Sequence, residues 1–477
     1  MSTAGTAVQA AGASGAEPTA PPQGPGREHL GRGLKVRHLT MMGLGSAIGA
    51  GLFLGTGAGI RTAGPAVLVS YAIAGLIVVL VMRMLAEMAA ALPSSGSFST
   101  YAETAIGRWA GFTLGWVYWF TLIMVLGVEI TASSGIIHSW LPGVPQWIVA
   151  LVLVGAFTAV NLLGVRSFGE FEFWFAALKV GVIVVFLVLG ALLVLGVLPS
   201  TDPVGLANLL GPDGFAPHGA GGIAAGLLVV VFAFGGIEII TIAAAESDDP
   251  QRSIAKAARS IVWRILLFYV GSVAIMVLVL PWDSAELIAG PFVAVLELTG
   301  IPAVATLMEV VVVVALLSAF NANVYGTSRM AYSLADRGDG PRSLLAVSGR
   351  GIPRTAVLVS VFFSVVSVVL NTLLPEQLLG ILLNAVGASL IGIWIVVAIS
   401  QLRLRPRLEA SGVLTVRMWF YPWLTWVTLA LLAGLVALML TDADARWQAL
   451  STVVLFALVA GIYGVGQLLR RRRLAGV

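Results

Sequence analysis

The stretch that decides the fold is Gly43-Leu44-Gly45-Ser46-Ala47-Ile48-Gly49-Ala50-Gly51, and three more glycines follow at positions 55, 57 and 59. It lies in an apolar run, yet each glycine disfavours helix by up to about 1 kcal/mol relative to alanine. The run therefore predicts a membrane helix that is interrupted. The alternative is close helix packing through the small-xxx-small pair Gly45 and Gly49.

The rest of the chain has the composition of a membrane protein. Its 477 residues are 58% hydrophobic and 10% charged, with a mean hydropathy of +0.98. About a quarter of the residues in soluble domains are charged, so this composition excludes soluble, fibrous and disordered proteins. Outer-membrane barrels lack long apolar runs. The sequence predicts an all-α membrane protein with twelve spans at 38–62, 66–92, 112–140, 145–164, 171–197, 221–246, 258–281, 302–334, 354–373, 377–401, 418–440 and 447–469.

A second interrupted span resembles the first. In Phe232-Ala233-Phe234-Gly235-Gly236-Ile237-Glu238, two adjacent glycines divide the sixth apolar run. The first and sixth spans hold corresponding places in two five-helix blocks, and an odd block length inverts the second block. Such paired interruptions are typical of the midplane binding site of a secondary transporter. Freed N–H groups attract a carboxylate and freed carbonyls accept from an ammonium, so the pattern suits a zwitterion.

The sequence divides into five segments. Residues 1–32 are predicted to be a disordered tail, because they hold almost no large apolar side chain to bury, and they lack the pattern of a signal peptide. Helices 1–5 form a first inverted repeat at 33–200, and helices 6–10 form a second at 201–410. Helices 11 and 12 occupy 411–470, and a basic tail covers 471–477.

The basic residues indicate orientation. All but three of the 27 lysines and arginines fall on one face or at its helix ends. Because lysine and arginine favour cytoplasmic loops, both termini are predicted to be cytoplasmic. The pI near 9.6 therefore reflects topology and contact with a lipid bilayer, not nucleic acid, and no required protein partner is evident. The exceptions are Arg61, Arg446 and Lys179.

Three charged side chains are predicted to lie deep in the membrane. Lys179 is about nine residues into the fifth span, roughly 13 Å along a helix. A buried ammonium is costly and indicates a function, here proton coupling, with a structural role or snorkelling as alternatives. Glu129 and Glu238 can pair with Lys179, contact a substrate amine or hold a gate closed. The alternative is a carboxyl group kept protonated within the bundle.

Other polar residues have weaker interpretations. Asn321 and Asn323 are about 200° apart on a helix, so one is predicted to contact substrate and the other a neighbouring helix. Glu309 is expected in an outer vestibule. Arg83 and Glu87 are one turn apart, which favours an ion pair within the helix.

Catalytic and metal-binding patterns are missing from the sequence. There is no cysteine, the four histidines are scattered, and no HExxH, GxSxG or P-loop motif occurs. An enzyme is therefore not expected, and no cofactor or metal is predicted. A receptor that binds an amino acid without moving it is a further hypothesis, but the tails are too short for a large signalling domain.

From about Leu34 to Leu469 the chain resembles amino-acid permeases of the amino acid–polyamine–organocation superfamily. The matching motifs are Arg37-His38-Leu39-Thr40-Met41, Gly49-Ala50-Gly51-Leu52-Phe53, Ala63-Gly64-Pro65, Pro93-Ser94-Ser95-Gly96-Ser97-Phe98, Phe168-Gly169-Glu170-Phe171-Glu172-Phe173-Trp174 and Ala244-Ala245-Glu246-Ser247-Asp248-Asp249-Pro250. Within the family, two motifs look most like γ-aminobutyrate permeases: Ile240-Thr241-Ile242-Ala243-Ala244-Ala245-Glu246-Ser247 and Arg417-Met418-Trp419-Phe420-Tyr421-Pro422-Trp423-Leu424-Thr425-Trp426.

The resemblance implies a LeuT-like fold of five-plus-five inverted repeats with two added C-terminal helices. It implies that backbone at Ala47, Ile48, Gly49, Ala50 and Gly51 holds the substrate carboxylate. It also assigns the amine to carbonyls around Phe232, Phe234 and Gly235, an aromatic gate to Phe232 and an acidic gate to Glu238. Asn323 matches a pocket position, and Lys179 matches a lysine that stands in place of sodium in proton-coupled relatives.

These observations predict a proton-coupled amino-acid transporter of the inner membrane that works by alternating access. Its predicted substrate is γ-aminobutyrate, and its other partners are protons and lipid. The alternatives are a permease for alanine, glycine, serine or proline, and an amino-acid exchanger.

Overall fold

The computed structural model describes residues 36–45, 48–198, 203–212, 214–247, 249–375, 377–441 and 443–474. In chain order these residues form α1 (Val36–Gly45), α2 (Ala50–Phe53), α3 (Gly55–Ala63), α4 (Val67–Ala91), α5 (Ser97–Ala105), α6 (Arg108–Trp140), α7 (Gln146–Leu163), α8 (Val165–Val194), α9 (Gly219–Phe232), α10 (Ile239–Ala243), α11 (Pro250–Arg264), α12 (Gly271–Val279), α13 (Ala285–Ala289), α14 (Pro291–Glu297), α15 (Val304–Asp336), α16 (Arg354–Leu373), α17 (Leu378–Ala410), α18 (Trp423–Thr441) and α19 (Ala443–Leu474). Within these ranges no strand occurs, and one isolated bridge joins Val347 to Pro353. The predicted all-α class is confirmed for the part that the structure describes. The predicted tail at 1–32 lies outside it.

Glycine and proline mark several helix boundaries. Gly164 separates α7 from α8 and has a φ of +138°. Residues with a β-carbon rarely adopt this backbone conformation. Pro145 and Pro353 immediately precede α7 and α16, where a missing N–H costs no helical hydrogen bond. These boundaries agree with the polar breaks predicted between the apolar runs.

Nine helical runs of the described chain are long and apolar enough to cross a membrane. They are Ala50–Ala91, Arg108–Trp140, Gln146–Leu163, Phe168–Val194, Val304–Asp336, Arg354–Leu373, Leu378–Ala410, Trp423–Thr441 and Ala445–Leu469. Two shorter apolar helices, Gly219–Phe232 and Leu267–Val279, lie where the sequence predicts the sixth and seventh spans. The protein is thus a multi-pass membrane protein, whereas the count of twelve spans and the repeat boundaries stay predictions.

The centre of the bundle is built on α6, α15 and α17. α15 packs against α6, α8 and α16, and α17 packs against α4, α6 and α9. α19, in contrast, is almost entirely exposed along its apolar length, with side chains such as Val453, Leu458 and Ile462 facing outward. Exposed apolar side chains of this kind suit contact with lipid. The two interrupted helices pack against the buried centre.

The two ends of the bundle differ in charge. At the start of α6, Arg108 donates to Asp339 Oδ1 at 3.1 Å and to the Arg337 carbonyl at 2.8 Å. We call this end of α6 and α15 the basic end. At the other end of α6, the Trp140 indole donates to Glu309 Oε2 at 2.9 Å.

Candidate functional site

The predicted interruption of the first span is confirmed. α1 ends at Gly45 and α2 begins at Ala50, and both Ile48 and Gly49 lie outside a helix. Ile48 and Ala50 are fully buried, so the freed backbone groups face protein rather than lipid. The predicted contact residue Ala47 lies outside the described residues.

Lys179 reaches this interruption from α8. Its side chain is fully buried, and Nζ donates to the Ile48 carbonyl at 3.2 Å. An intact helix would use that carbonyl for its own hydrogen bond. The ammonium of the predicted intramembrane lysine therefore contacts the interrupted backbone directly, where the carbonyl dipole stabilises its charge.

Glu172 is a neighbour of Lys179 that the sequence alone does not single out. Its Oε1 lies 4.0 Å from Lys179 Nζ, and its two oxygens accept from Ser318 Oγ at 3.0 and 3.1 Å. Both charged side chains are fully buried. They are seven residues apart on α8, close to two full turns, so they share one face. This seven-residue spacing is the feature of the sequence that could have indicated that Glu172 lies beside Lys179.

The carboxylate of Glu129, a residue of α6, lies at the start of α2. The Ala50 N–H donates to both carboxylate oxygens at 3.3 Å. Gly49 permits this approach, because a β-carbon at position 49 would lie 2.6 Å from Glu129 Oε1 and 2.9 Å from Ala319 Cβ. Glu129 therefore bonds to one of the backbone positions that the family resemblance assigns to the substrate carboxylate.

The two interrupted segments contact each other through Gly51. A β-carbon there would lie 2.5 Å from Ala233 Cα and 3.1 Å from the Phe232 carbonyl oxygen. Glycine is therefore the residue that allows the two backbones to approach so closely. Gly51 and Phe232, which the sequence assigns to one site, are neighbours in the structure.

The second predicted interruption is also confirmed. α9 ends at Phe232 and α10 begins at Ile239, with Gly236 between them at a φ of +91°. Glu238 Oε2 accepts from the Gly236 N–H at 3.0 Å, and Oε1 accepts from the Trp394 indole N–H at 2.9 Å. The predicted gating carboxylate is therefore held by its own segment and by α17.

The aromatic residues of this segment differ in their surroundings. The Phe234 ring is fully buried and stacks on Tyr269 with centroids 4.7 Å apart, and Tyr71 lies beside it. The Phe232 ring is buried too and approaches the position of Gly55 in α3. Phe234 thus anchors the interruption in an aromatic cluster, while Phe232 faces the helix that follows the other interruption.

The two predicted asparagines of α15 have different neighbours. Asn161 of α7 donates to Asn321 Oδ1 at 2.8 Å. Asn323 Nδ2 donates to the Ala319 carbonyl at 2.8 Å, and its buried Oδ1 accepts no hydrogen bond from any described residue. Asn323 lies one turn from Ala319, which contacts Gly49, so it is on the side of the interruption. Substrate contact by either asparagine stays a prediction.

A cavity of about 340 Å³ opens at the end opposite the basic end. Glu309 lines it, as expected of a vestibule residue, and so do Glu297, Phe53 and Phe292. Phe53 belongs to the same short helix as Ala50, so the cavity reaches within about one helical turn of Glu129. The Phe53 and Phe292 rings are 4.9 Å apart.

A buried ion pair lies toward the basic end. Arg329 of α15 donates to Glu246 Oε1 at 3.0 Å, and the guanidinium carbon lies 3.9 Å from the Tyr325 ring centroid. Both charged side chains are at most 3% exposed. The sequence groups Arg329 with the basic residues of one face and does not predict this pair. It joins α15 to the short helical turn after α10.

Glu87 does not have the predicted partner. In place of an ion pair with Arg83 one turn away, its carboxylate accepts from Gln401 at 2.8 Å, from the Met418 N–H at 2.5 Å and from Arg405 in a close ion pair. Arg83 donates to the Arg417 carbonyl at 2.8 Å. Glu87 is fully buried, and tertiary packing surrounds its carboxylate with donors from other segments of the chain.

Comparisons with known proteins show which proteins this chain resembles. The sequence model described as amino acid permease matches residues 38–475. The chain is 56% identical to the aromatic amino acid transport protein of Corynebacterium glutamicum, over 90% of this chain and 94% of that protein. It is 45% identical to the gamma-aminobutyric acid permease of Bacillus subtilis, over 93% of this chain and 94% of that protein.

A solved structure has the same kind of fold. The manganese transporter of Eremococcus coleocola superimposes with a TM-score of 0.56 at 14% identity, covering 91% of this chain and 94% of that chain. At this low identity the likeness concerns the fold alone, which is that of LeuT-type transporters.

Proposed function

Because the chain belongs to the amino acid permease family, we propose that it is a secondary active transporter that imports an amino acid together with protons. It acts by alternating access in the cytoplasmic (inner) membrane, with both termini cytoplasmic. The proposal includes twelve spans, arranged as two inverted five-helix repeats and two C-terminal helices. The two interrupted helices, α1–α3 and α9–α10, belong to the part that moves.

The observation that carries the proposal is the hydrogen bond from Lys179 Nζ to the Ile48 carbonyl. A fixed ammonium at the interrupted backbone repels a sodium ion from the same carbonyl. Lysine, in contrast, can release and regain a proton when its surroundings change. Glu172 and Glu129 lie within the same cluster, so a proton has acidic and basic groups to move between. This cluster supports coupling to protons rather than to sodium.

Glu129 supplies a reason for substrate and proton to move together. Its carboxylate already accepts the Ala50 N–H, which the proposed site offers to the substrate carboxylate. Two carboxylates at one donor repel each other unless one is protonated or moves away. We therefore infer that substrate binding is favoured when Glu129 takes up a proton.

Two substrate classes have support from the relatives. The transport protein named for aromatic amino acids shares 56% identity with this chain, and the permease named for gamma-aminobutyric acid shares 45%. We therefore place an aromatic amino acid first and γ-aminobutyrate, the substrate predicted from sequence motifs, second. Small neutral amino acids such as alanine, glycine, serine and proline follow as further candidates.

Uptake into liposomes tests the proposal. Purified protein is reconstituted, an inward proton gradient is imposed, and labelled tryptophan, phenylalanine and γ-aminobutyrate are supplied with choline in place of sodium. We expect accumulation of at least one substrate, and its loss when a protonophore collapses the gradient. Lys179→Ala should abolish accumulation, because the cluster then has no ammonium. Lys256→Ala, at an exposed lysine of α11, is the matched control and should accumulate like wild type.

Other outcomes identify the alternatives. Uptake that requires sodium and ignores the pH gradient would refute proton coupling. Uptake seen only in vesicles preloaded with unlabelled amino acid would indicate an exchanger. Binding without flux would favour a non-transporting receptor. Competition by unlabelled amino acids against the accumulated label then ranks the substrates.

A further inference from the structure

We propose that Trp394 is a positioning residue that fixes the second interruption through Glu238. In this role the indole N–H holds the Glu238 carboxylate, so that backbone 233–238 keeps one conformation. The inference rests on the proposed function and on the family resemblance, which assigns the substrate amine to carbonyls of this segment. It adds a residue on α17 to a site that the two interrupted helices form with side chains from α6 and α8.

The hydrogen bonds around Glu238 divide its carboxylate between two elements. Oε1 accepts from the Trp394 indole at 2.9 Å, and Oε2 accepts from the Gly236 N–H at 3.0 Å. The Glu238 and Trp394 side chains are each 1% exposed. Each carboxylate oxygen therefore has its own buried donor, and the carboxylate bridges α17 and the interruption.

α17 supports the interruption over two turns. A β-carbon at Gly387 would lie 3.6 Å from the Leu228 carbonyl, and one at Gly235 would lie 3.0 Å from Leu390 Cδ1. Gly387, Leu390 and Trp394 are spaced by three and four residues, so they share one face of α17. Gly387 allows α17 to approach α9 closely, Leu390 supplies apolar contact, and Trp394 supplies the directional bond.

The chemistry of the indole explains why this position is specific. Tryptophan Nε1 is a donor only, so a buried Trp394 needs an acceptor, and Glu238 provides it. Gly236 sits in a left-handed conformation where the helical hydrogen bonds are lost, and its N–H also depends on Glu238. If the carboxylate is released, two buried donors lose their partner at once, which makes the three groups act as a unit.

Hydrogen–deuterium exchange tests this role without any ligand. Trp394→Phe keeps the ring volume approximately and removes the donor. A hydrogen bond to a charged group corresponds to about a 10- to 100-fold change in an opening equilibrium. Peptides covering residues 233–239 should therefore exchange about 10- to 100-fold faster in Trp394→Phe than in wild type. Unchanged exchange would overturn the proposal.

Trp119→Phe is the matched control. The Trp119 indole nitrogen of α6 is buried without a hydrogen-bond partner among the described residues, so its loss removes ring volume but no bond. Exchange at 233–239 should stay within about twofold of wild type in this variant. An equal acceleration in both tryptophan variants would show general loosening of the bundle and would refute a specific role for Trp394.

A double-mutant comparison separates the hydrogen bond from packing. Glu238→Gln removes the charge and replaces one of the two acceptor oxygens with an NH2 donor. The bonds from the Trp394 indole and from the Gly236 N–H then cannot both persist, so the indole bond is weakened or lost. In that background Trp394→Phe should accelerate exchange by less than about threefold. The same acceleration in both backgrounds would show that Trp394 acts through packing, against the proposal. Uptake by the wild-type protein is measured separately, so failure of the transport proposal is distinguishable from failure of this one.

Discussion

Gly51→Ala is expected to force the two interrupted segments apart. The new β-carbon would lie 2.5 Å from Ala233 Cα and 3.1 Å from the Phe232 carbonyl oxygen. Carbon atoms in contact are separated by about 3.5–4.0 Å. The backbones must therefore separate by at least about 1 Å. Ala233 Cα is a main-chain atom, so no side-chain rotation relieves the overlap.

The size of the effect follows from this displacement. Overpacking in a buried region costs about 1–3 kcal/mol, which exceeds the gain of up to about 1 kcal/mol from replacing glycine by alanine in a helix. A misplacement of about 1 Å between binding groups can lower a rate about 100-fold. We therefore expect a lower Tm and a loss of transport of about that size.

The assay combines uptake into liposomes with thermal unfolding followed by size-exclusion chromatography. Gly155→Ala in α7 is the control, because among the described residues no atom beyond its own stretch of helix lies within 4 Å of the added β-carbon. It should leave uptake unchanged and keep or slightly raise the Tm. If Gly51→Ala takes up substrate like wild type and has the same Tm as Gly155→Ala, the close approach of the two segments is refuted.

Two further predictions concern buried charges. Arg329→Met leaves Glu246 buried without its guanidinium partner, which should destabilise the protein by about 3–5 kcal/mol. The lowered Tm should largely recover in the double variant Arg329→Met/Glu246→Met. A single variant with the Tm of wild type would contradict the stabilising role of the ion pair. Glu129→Gln should flatten the pH dependence of substrate binding, because a neutral side chain no longer repels the substrate carboxylate. The substrate affinity is measured at equilibrium from acidic to alkaline pH. Glu309→Gln, in the outer cavity, is the control, and an unaltered pH profile in Glu129→Gln would count against the competition.

Several features of the site could be predicted from the sequence because they depend on neighbours along the chain. The interruptions at Gly45–Ala50 and Phe232–Ile239 follow from glycines within apolar runs, and both are present. The depth of Lys179 follows from its distance to the ends of its apolar run, and its side chain is fully buried. The divergence of Asn321 and Asn323 follows from helical geometry, and their hydrogen-bond partners do differ.

The partners of the charged groups could not be predicted in this way. Glu87 was expected to bond within its own helix, but its donors come from α17 and from the segment before α18. The bond between Trp394 and Glu238 joins residues 156 positions apart. A choice among such partners depends on the distances between helices, and these are set by the packing of the whole bundle.

The sequence by itself therefore determined the all-helical membrane class, the two interruptions and the family. These depend on local backbone preference and on apolar length, which each segment carries alone. Only the tertiary structure decided that Lys179 donates to Ile48, that Glu129 occupies the Ala50 N–H, and that Gly51 joins the two interruptions. Each of these contacts requires two or three distant segments to approach within a few ångströms, and a buried charge or donor takes whichever partner that approach provides.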